Sequence, residues 1–488
     1  MILGNWLSRA ELPALEWDEG VMTYGELAAE VDRLSFWFEC QPGAHFAIEI
    51  SNSPEWVILD LACQTAGKVL VPVPPYFSRQ QRTHLFAEAG IEYYFSASPV
   101  TNHTFILKEC PFQRLYLYQI TGSKTPLVPD GTGKITFTSG STGNPKGVCL
   151  SHQSQKVVAE SLVNATGIAS PRHLCLLPLS TLLENIAGIY APLMAGGCVV
   201  LRRAESLGFE GVSLTSPDRM IQSISEAKPS TLILVPELLQ LLVSACSQGW
   251  QPPASLLFIA VGGATVPAAL IKKARDCRLP VYQGYGLSEC VSVNTLNTSA
   301  KDNIYSAGTA LGHNRLVIED GEIVITGTLF LGYVNMPESF YPTAVYTGDL
   351  AEQTDGFFQI AGRKKNVFIN SFGRNISPEW IEGELMATGL FRLVVLTGEA
   401  RPYCGALLLP YESGADRKIT GQAIAAVNQH LPEYARVKVW QSVPELATDK
   451  TLFTANRKLK RDVLASKYQS VIDTMYAGSG LISEEIEA

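Results

Sequence analysis

A run of glycine and hydroxyl residues is the part of the sequence best suited to chemistry. It lies between the strand-like segments 134–137 and 148–152 and reads Thr138-Ser139-Gly140-Ser141-Thr142-Gly143-Asn144-Pro145-Lys146-Gly147. The glycines let backbone N–H groups turn toward an anion, the hydroxyls add donors, and Lys146 adds a positive charge. A flexible linker does not usually carry Pro-Lys-Gly between two strands. The run therefore predicts a polyphosphate loop, although the Walker pattern G-x-x-x-x-G-K-[S/T] is absent.

Three further segments offer the groups that a nucleotide needs. They are GGATVP (262–267), QGYGLSE (283–289) and TGDL (347–350). A flat base needs an aromatic or backbone wall, a triphosphate needs a hard cation on oxygen ligands, and a carboxylate can accept hydrogen bonds from two hydroxyls. Taken alone, Tyr285 is as readily a core aromatic, and Asp349 is as readily a turn residue.

In this order, the segments resemble the motif set of the acyl-adenylate-forming (AMP-binding) superfamily. That group contains acyl-CoA synthetases, the adenylation domains of nonribosomal peptide synthetases, and luciferases. The resemblance covers nearly the whole chain, from the phosphate loop to the motif TANRKLKR (454–461). It implies an enzyme that uses Mg-ATP to convert a carboxylic acid into an acyl-AMP, with release of pyrophosphate.

The resemblance assigns a role to each motif. The residues it places around ATP are Thr138, Ser139, Gly140, Ser141, Thr142, Gly143, Gly263, Ala264, Tyr285, Gly286, Ser288, Asp349 and Arg363. Among them, Tyr285 stacks on adenine, Asp349 binds the ribose hydroxyls, and Arg363 contacts ribose or phosphate. Glu289 is the implied Mg²⁺ ligand, and the implied catalytic residues are Lys458, Lys146 and Glu289. By its spacing from Arg461, Lys458 rather than Lys460 is the lysine that bridges the acid and ATP.

The identity of the acid and of its acceptor rests on weaker similarities. The segment 177–197 is similar to the corresponding stretch of long-chain fatty acyl-CoA ligases, and its Leu, Ile and Ala content suits a fatty or other apolar acid. The chain departs from that pattern at Thr181, Phe372 and Arg457, and Phe372 lies beside the thiol channel that the resemblance implies. Coenzyme A is the first expected acceptor, while an amine or a carrier-protein thiol stays open.

The elements that must position these residues alternate between strands and helices. Thr23 and Glu26 form a capping-box pattern before a helix over 24–38, and Ser53-Pro54 begins a second helix. Strands at 45–51, 69–73, 230–235 and 255–261 between helices predict an α/β fold with largely parallel, helix-covered sheets. The segment 316–327 predicts two strands around an Asp-Gly turn and a small barrel-like part. We place the domain boundary in GRKKN, giving an N-terminal domain over 1–364 and a small, mobile α+β domain over 365–488, with Lys365 as the hinge.

Composition excludes several other functions. A net charge of −8 and a pI near 5.5 argue against a broad nucleic-acid surface. The N-terminus has no secretory pattern, and the apolar stretch 174–201 is interrupted by Glu184 and Asn185, which predicts a cytoplasmic protein without a transmembrane segment. The ten cysteines form no CxxC pair and no His/Cys cluster at metal-ligand spacing, so we expect free thiols.

Two other enzyme or protein classes fail on sequence. An NAD enzyme would need a G-x-G-x-x-G after its first strand, which is absent. A catalytically dead homologue would show losses among the five residues central to the chemistry. All five are present, namely Lys146, Glu289, Asp349, Arg363 and Lys458.

Overall fold

The computed structural model describes residues 6–100, 102, 104–138, 145–211, 213–264, 266–411, 416–453 and 459–477. Five predicted phosphate-loop residues, Ser139 to Gly143, and the predicted catalytic Lys458 lie outside this part of the chain. The strands are β1 (Pro13–Trp17), β2 (Gly20–Thr23), β3 (His45–Glu49), β4 (Val69–Pro72), β5 (Tyr93–Ser96), β6 (Phe105–Lys108), β7 (Tyr116–Ile120), β8 (Lys134–Thr138), β9 (Lys146–Leu150), β10 (Arg172–Leu174), β11 (Cys198–Val200), β12 (Phe209–Glu210), β13 (Ser213–Leu214), β14 (Thr231–Leu234), β15 (Phe258–Val261), β16 (Val281–Leu287), β17 (Ser292–Leu296), β18 (Thr309–Ala310), β19 (Asn314–Glu319), β20 (Glu322–Gly327), β21 (Gly332–Tyr333), β22 (Val345–Thr354), β23 (Phe357–Arg363), β24 (Phe368–Ile369), β25 (Asn375–Ile376), β26 (Phe391–Thr397), β27 (Cys404–Pro410) and β28 (Val437–Ser442).

Two of the helices begin where the capping signals predict. The helices are α1 (Tyr24–Glu39), α2 (Pro54–Thr65), α3 (Arg79–Glu88), α4 (His152–Thr166), a π-helix (Glu184–Tyr190), α5 (Ala191–Met194), α6 (Pro217–Ala227), α7 (Pro236–Ser247), α8 (Ala268–Asp276), α9 (Pro378–Met386), α10 (Arg417–Asn428), α11 (Arg461–Lys467) and α12 (Gln469–Ala477). The predicted capping box at the start of α1 is present, with Thr23 and Glu26 each accepting the other's backbone N–H. Ser53 caps α2, whose first residue is Pro54.

The larger sheet has 13 strands in the order β19-β20-β22-β23-β18-β17-β16-β15-β14-β10-β11-β1-β2. Its centre, from β16 through β11 to β1, is parallel, as the alternation of strands and helices predicts. Beyond β16 the strands are antiparallel, and β19 and β20 form the predicted hairpin around Asp320 and Gly321, with φ of +49° and +79°. Within the described residues, this part continues the open sheet and does not close into the expected barrel-like unit.

The second sheet carries the predicted phosphate loop. Its eight strands run β21-β9-β8-β4-β3-β5-β7-β6, and β8 and β9 form the hairpin from which the loop extends. At the start of β8, the buried Lys134 Nζ lies 2.7 Å from Asp60 Oδ1 of α2. Lys134 also donates to Asn185 Oδ1 at 2.5 Å and to Tyr190 Oη at 2.8 Å, both in the π-helix. A satisfied, buried charge network therefore fixes β8 against α2 and the π-helix.

The C-terminal part has its own three-stranded sheet in the order β26-β27-β28, with α9 to α12 packed around it. Its buried apolar residues form two clusters that begin at Phe368 and end at Met475. The three clusters of the N-terminal part have their last buried member at Phe358. Separate cores are consistent with a boundary between them, and the placement of that boundary at residue 365 stays a prediction.

The long apolar stretch between Leu174 and Leu201 packs as protein core, and both of these residues are fully buried. None of the helices in the described part of the chain combines the length and apolarity needed to cross a membrane. The ten cysteines are free thiols, as expected.

Candidate active site

Two predicted nucleotide motifs lie side by side at the carboxyl ends of parallel strands. β15 pairs in parallel with β16, with Val261 opposite Gln283. Gly263 lies two residues beyond β15 and has a φ of +84°, a left-handed conformation that glycine adopts without steric cost. Gly263 and Ala264 are exposed at this edge. Since ligands of open α/β sheets bind beyond the carboxyl ends of the strands, this edge is suited to a ligand.

Tyr285, Asp349 and Arg363 meet although they come from three separate motifs. Tyr285, in β16, donates its hydroxyl to Asp349 Oδ2 at 2.7 Å. Arg363 Nε lies 2.7 Å from Asp349 Oδ1, because Asp349 and Arg363 face each other across β22 and β23. Burial, and then the Asp349 carboxylate, raise the pKa of Tyr285, so its hydroxyl stays protonated and acts as the donor. Oδ1 of Asp349 keeps a further lone pair for a ligand hydroxyl, and the second lone pair of Oδ2 makes only a long contact of 3.5 Å with Arg363 Nη2.

Glu322, which was not predicted from sequence, stabilises the turn that carries Asp349. Gly348 has a φ of +71° and donates its N–H to Glu322 Oε1 at 2.8 Å. Lys364 Nζ lies 3.0 Å from Glu322 Oε2. The Gly348 N–H and the Lys364 ammonium lower the pKa of Glu322. This carboxylate therefore joins the Thr-Gly-Asp turn to the segment after β23, and its only sequence signal was the Gly-Glu pair that opens β20.

The predicted metal ligand Glu289 lies beside Lys146 through a shared neighbour, Tyr333. Tyr333 donates its hydroxyl to Glu289 Oε1 at 2.8 Å. Lys146 Nζ lies 5.1 Å from the centroid of the Tyr333 ring, within the range of a cation–π contact. The structure thus brings two predicted catalytic residues, which are 143 positions apart (289 − 146), to one aromatic side chain. Tyr333 could not be predicted from sequence, because a single tyrosine in a two-residue strand has no periodic signal.

Thr138 and Lys146 face each other at the loop end of the β8–β9 hairpin. The residues that follow Thr138, namely Ser139, Gly140, Ser141, Thr142 and Gly143, lie outside the described residues. On the near side of the loop, the carbonyl of Pro145 lies 3.0 Å from His84 Nε2 of α3. The hairpin therefore presents both ends of the predicted phosphate loop at one edge of the second sheet.

Gly286 and Ser288 have structural reasons for their positions. A Cβ added at Gly286 would lie 1.7 Å from the Ser292 carbonyl oxygen, so only glycine permits this close approach of β17. Val291 and Ser292 have φ of +58° and +91°, and they turn the chain back antiparallel to β16. Ser288 begins the one-turn 3₁₀ segment that presents Glu289.

The chain just after the predicted catalytic lysine is anchored by a buried ion pair. Arg461 donates to Glu382 Oε1 from Nη1 at 2.9 Å and to Oε2 from Nη2 at 2.5 Å. Glu382 is 6% exposed and belongs to α9. Burial raises the pKa of Glu382, and the Arg461 charge opposes that rise. Lys458 itself lies outside the described residues.

Phe372, which departs from the ligase pattern, lies in the turn between β24 and β25. Asn370 Oδ1 accepts the backbone N–H groups of Phe372 at 3.0 Å and Arg374 at 2.9 Å, and Gly373 has a φ of +72°. The Phe372 residue is 73% exposed. Its ring is thus carried by an ordered turn and faces solvent in this arrangement.

The fold also assembles a polar cluster that sequence spacing did not reveal. His173, Cys175 and Glu184 place their ligating atoms within 4.8 Å of one another, and all three are buried. His173 Nε2 lies 3.0 Å from Glu184 Oε1, and a Cβ added at Gly188 would lie 2.8 Å from both atoms. His173 and Glu184 contact each other directly, and the backbone of the π-helix lies close to both side chains. We therefore assign this pair to the core.

Sequence relatives include ligases for more than one kind of acid. Feruloyl-CoA synthase from Amycolatopsis sp is 27% identical over 78% of this chain and 82% of its own length. 2-Succinylbenzoate–CoA ligase from Bacillus velezensis is 27% identical over 82% of this chain and 86% of its own. Long-chain-fatty-acid–CoA ligase FadD15 from Mycobacterium bovis is 30% identical over 44% of this chain and 41% of its own. The predicted similarity to long-chain ligases therefore holds only in part, since other coenzyme A ligases match over more of the chain.

A solved structure and two family models are consistent with the sequence relatives. The crystal structure of the anthranilate CoA ligase AuaEII with anthranoyl-AMP superposes with a TM-score of 0.77 at 18% identity, over 96% of each chain. The family model for AMP-binding enzymes matches residues 6–334, and the model for their C-terminal domain matches residues 365–480. The first match alone spans more than half of the 488 residues. This chain therefore belongs to the family of AMP-binding enzymes.

Proposed function

We propose that this enzyme is an ATP-dependent acid–CoA ligase, which converts a carboxylic acid into an acyl-AMP and then transfers the acyl group to coenzyme A. The observation that carries the proposal is the contact of Tyr285, Asp349 and Arg363 beside the exposed backbone of Gly263 and Ala264. An aromatic face, a carboxylate with free lone pairs and a guanidinium are the groups that a nucleoside phosphate requires.

Within this proposal, each part of the nucleotide is bound by its own set of residues. Gly263 and Ala264 back the adenine, and the ring of Tyr285 stacks on it. Asp349 accepts hydrogen bonds from the ribose hydroxyls, while Arg363, whose side chain is 44% exposed, reaches ribose or phosphate. Gly286 and Ser288 shape the turn between adenine and metal. Thr138 and the loop from Ser139 to Gly143 bind the phosphates.

Glu289 fits the role of a Mg²⁺ ligand. Only one of its oxygens is engaged among the described residues, by the Tyr333 hydroxyl, which leaves Oε2 free for a hard cation. When bound, Mg²⁺ would neutralise charge on the phosphates.

The adenylation step needs no covalent bond to the protein. A carboxylate oxygen of the acid attacks the α-phosphorus in line, the bond to the β-phosphate bridging oxygen breaks, and pyrophosphate leaves. Lys146 and Lys458 stabilise the negative charge that develops on the non-bridging oxygens and on the acid. Both lysines act by electrostatics and by holding the reactants close together, with no proton transferred in this step.

The transfer step requires a change of arrangement. We assign the hinge to Lys365, between an N-terminal domain over 1–364 and a C-terminal domain over 365–488. Rotation about this residue removes Lys458 from the acyl-AMP and admits the thiol of coenzyme A, which displaces AMP. The ten free thiols, together with a reaction that consumes ATP, favour a reducing, cytoplasmic location.

For the acid, the relatives favour an aromatic compound over the fatty acid expected from segment 177–197. Among the relatives that match over more than three quarters of this chain, two are named for ferulate and 2-succinylbenzoate, and both of these acids contain a benzene ring. The long-chain ligase matches over less than half of it.

The test is product analysis by mass spectrometry. Purified protein and Mg-ATP are incubated with ferulate, 2-succinylbenzoate, anthranilate, benzoate or dodecanoate, each with coenzyme A, with a mixture of amines, or with neither. We expect acyl-CoA with at least one aromatic acid and acyl-AMP when coenzyme A is left out. An amide, or acyl-AMP without any thioester, would overturn the assignment of coenzyme A as acceptor. Thioester from dodecanoate alone would overturn the aromatic class.

A further inference from the structure

The segment around β21 bridges the two halves of the phosphate site. On one side, Phe330 donates its N–H to the carbonyl of Glu289 at 2.8 Å. On the other side, Val334 donates its N–H to the carbonyl of Gly147 at 2.9 Å, and Tyr333 faces Val148 across β21 and β9. The segment 330–334 therefore joins the turn that presents Glu289 to the strand that begins with Lys146.

The side chain of Tyr333 repeats this bridge within the site. Its hydroxyl donates to Glu289 Oε1 at 2.8 Å, and its ring face lies 5.1 Å from Lys146 Nζ. Phe330 packs against the edge of the same ring, with centroids 4.9 Å apart and planes at 68°. The ring orientation is thus fixed by packing.

We propose that Tyr333 is a positioning residue for the metal and phosphate part of the site: its hydroxyl orients Glu289 toward Mg²⁺, and its ring holds Lys146 beside it. A glutamate has three rotatable bonds, and fixing one oxygen by a donor directs the other toward the ligand. This inference rests on the proposed function, because it assumes that Glu289 binds the metal.

The experiment separates the hydroxyl from the ring. Tyr333→Phe removes only the hydrogen bond to Glu289, and Tyr333→Leu also removes the cation–π contact with Lys146. Tyr341→Phe is the matched control, since Tyr341 is 54% exposed and its hydroxyl lies 3.4 Å from the carbonyl of Asp130, where it makes only a weak contact. Binding of Mn²⁺ is measured by electron paramagnetic resonance with α,β-methylene-ATP present. Affinity for the same analogue without metal is measured by calorimetry, and Tm is recorded for every variant.

We expect Tyr333→Phe to weaken Mn²⁺ binding about tenfold, the effect of one net hydrogen bond to a charged group, while affinity for the metal-free analogue changes less than about twofold. Tyr333→Leu should weaken both affinities. An unchanged Mn²⁺ affinity in Tyr333→Phe, or an equal loss of both affinities in that variant, would overturn the positioning role. Wild-type protein that binds Mn²⁺ and the analogue but forms no acyl-AMP would instead overturn the proposed function alone.

Discussion

Tyr285 and Asp349, which are 64 residues apart in sequence, are joined by a 2.7 Å hydrogen bond between two interior strands of the larger sheet, β16 and β22. The bond ties the proposed adenine platform to the proposed ribose ligand, so the two parts of the nucleoside are recognised by one rigid unit. Asp349 is only 3% exposed, and its other oxygen is held by Arg363. The carboxylate is therefore already oriented before a ligand arrives.

Asp349→Ala should raise the ATP concentration needed for half-maximal pyrophosphate release by about 100-fold. The substitution removes two hydrogen bonds from ribose to a charged acceptor, together worth about 3 kcal/mol. Steady-state kinetics with saturating acid measure the effect. Tyr285→Phe keeps the ring and loses only the bond to Asp349, so it should raise the requirement less. An Asp349→Ala enzyme with wild-type ATP dependence would contradict the ribose assignment.

Lys458→Ala should slow adenylation by about 100- to 1000-fold and leave the Tm unchanged. The proposed role of Lys458 is to stabilise charge in the transition state, and removal of such a group costs about 100- to 1000-fold in rate. Lys460→Ala is the matched control, two residues away in the same motif. Pyrophosphate release with ATP and the acid compares the two variants. Loss of activity in Lys460→Ala with full activity in Lys458→Ala would exchange the two assignments.

Arg461→Met should destabilise the C-terminal part by about 3 kcal/mol, because it leaves the buried Glu382 carboxylate with the Leu396 N–H but without its charged partner. Urea denaturation followed by circular dichroism measures the loss. The control Asp473→Asn breaks an ion pair with Arg401 in which both side chains are at least one third exposed, and it should cost less than about 1 kcal/mol. Equal losses in the two variants would contradict the role of Arg461 as an anchor.

The loss of unfolding free energy in Arg461→Met should also depend on pH. Burial already raises the pKa of Glu382 above its ordinary value of 4.5, and removal of Arg461 takes away an opposing charge. A carboxyl group whose folded-state pKa lies above its unfolded value costs stability as the pH rises through that range. The difference in unfolding free energy from wild type should therefore be smaller at pH 5 than at pH 8. A difference that grows on acidification would show that Glu382 is not the cause.

Lys134→Met should lower the free energy of unfolding by about 3–5 kcal/mol, since it leaves Asp60 buried and only hydrogen-bonded. Urea titration followed by tryptophan fluorescence, to which Trp56 contributes at 5.9 Å from Lys134 Nζ, reports the change. Lys156→Met, in the exposed pair with Glu160, is the control and should change stability by less than about 0.5 kcal/mol. Matching values for the two variants would mean that the buried network does not hold β8.

The sequence by itself determined the family, the enzyme class and much of the local structure. The predicted superfamily and the prediction of an enzyme are confirmed. The capping residues Thr23 and Ser53 predicted the start of α1 and α2, because a cap depends on a few adjacent residues. The positions of Tyr285, Asp349 and Arg363 were likewise found from motifs, and the structure brings these three together.

Only the tertiary structure decided which distant residues meet. Tyr333 reaches Glu289 because β21 pairs with β9 at the edge of the second sheet, and sheet order is set by packing between elements that are far apart in the chain. Glu322 and the His173–Glu184 pair were missed for the same reason. Within the described residues, the tertiary structure also leaves the predicted barrel-like part as an open sheet. An Asp-Gly hairpin predicts two paired strands, whereas closure of a barrel depends on which strand the outer strand pairs with. Local pattern fixes elements and motifs, and long-range pairing fixes the neighbours that each functional group acquires.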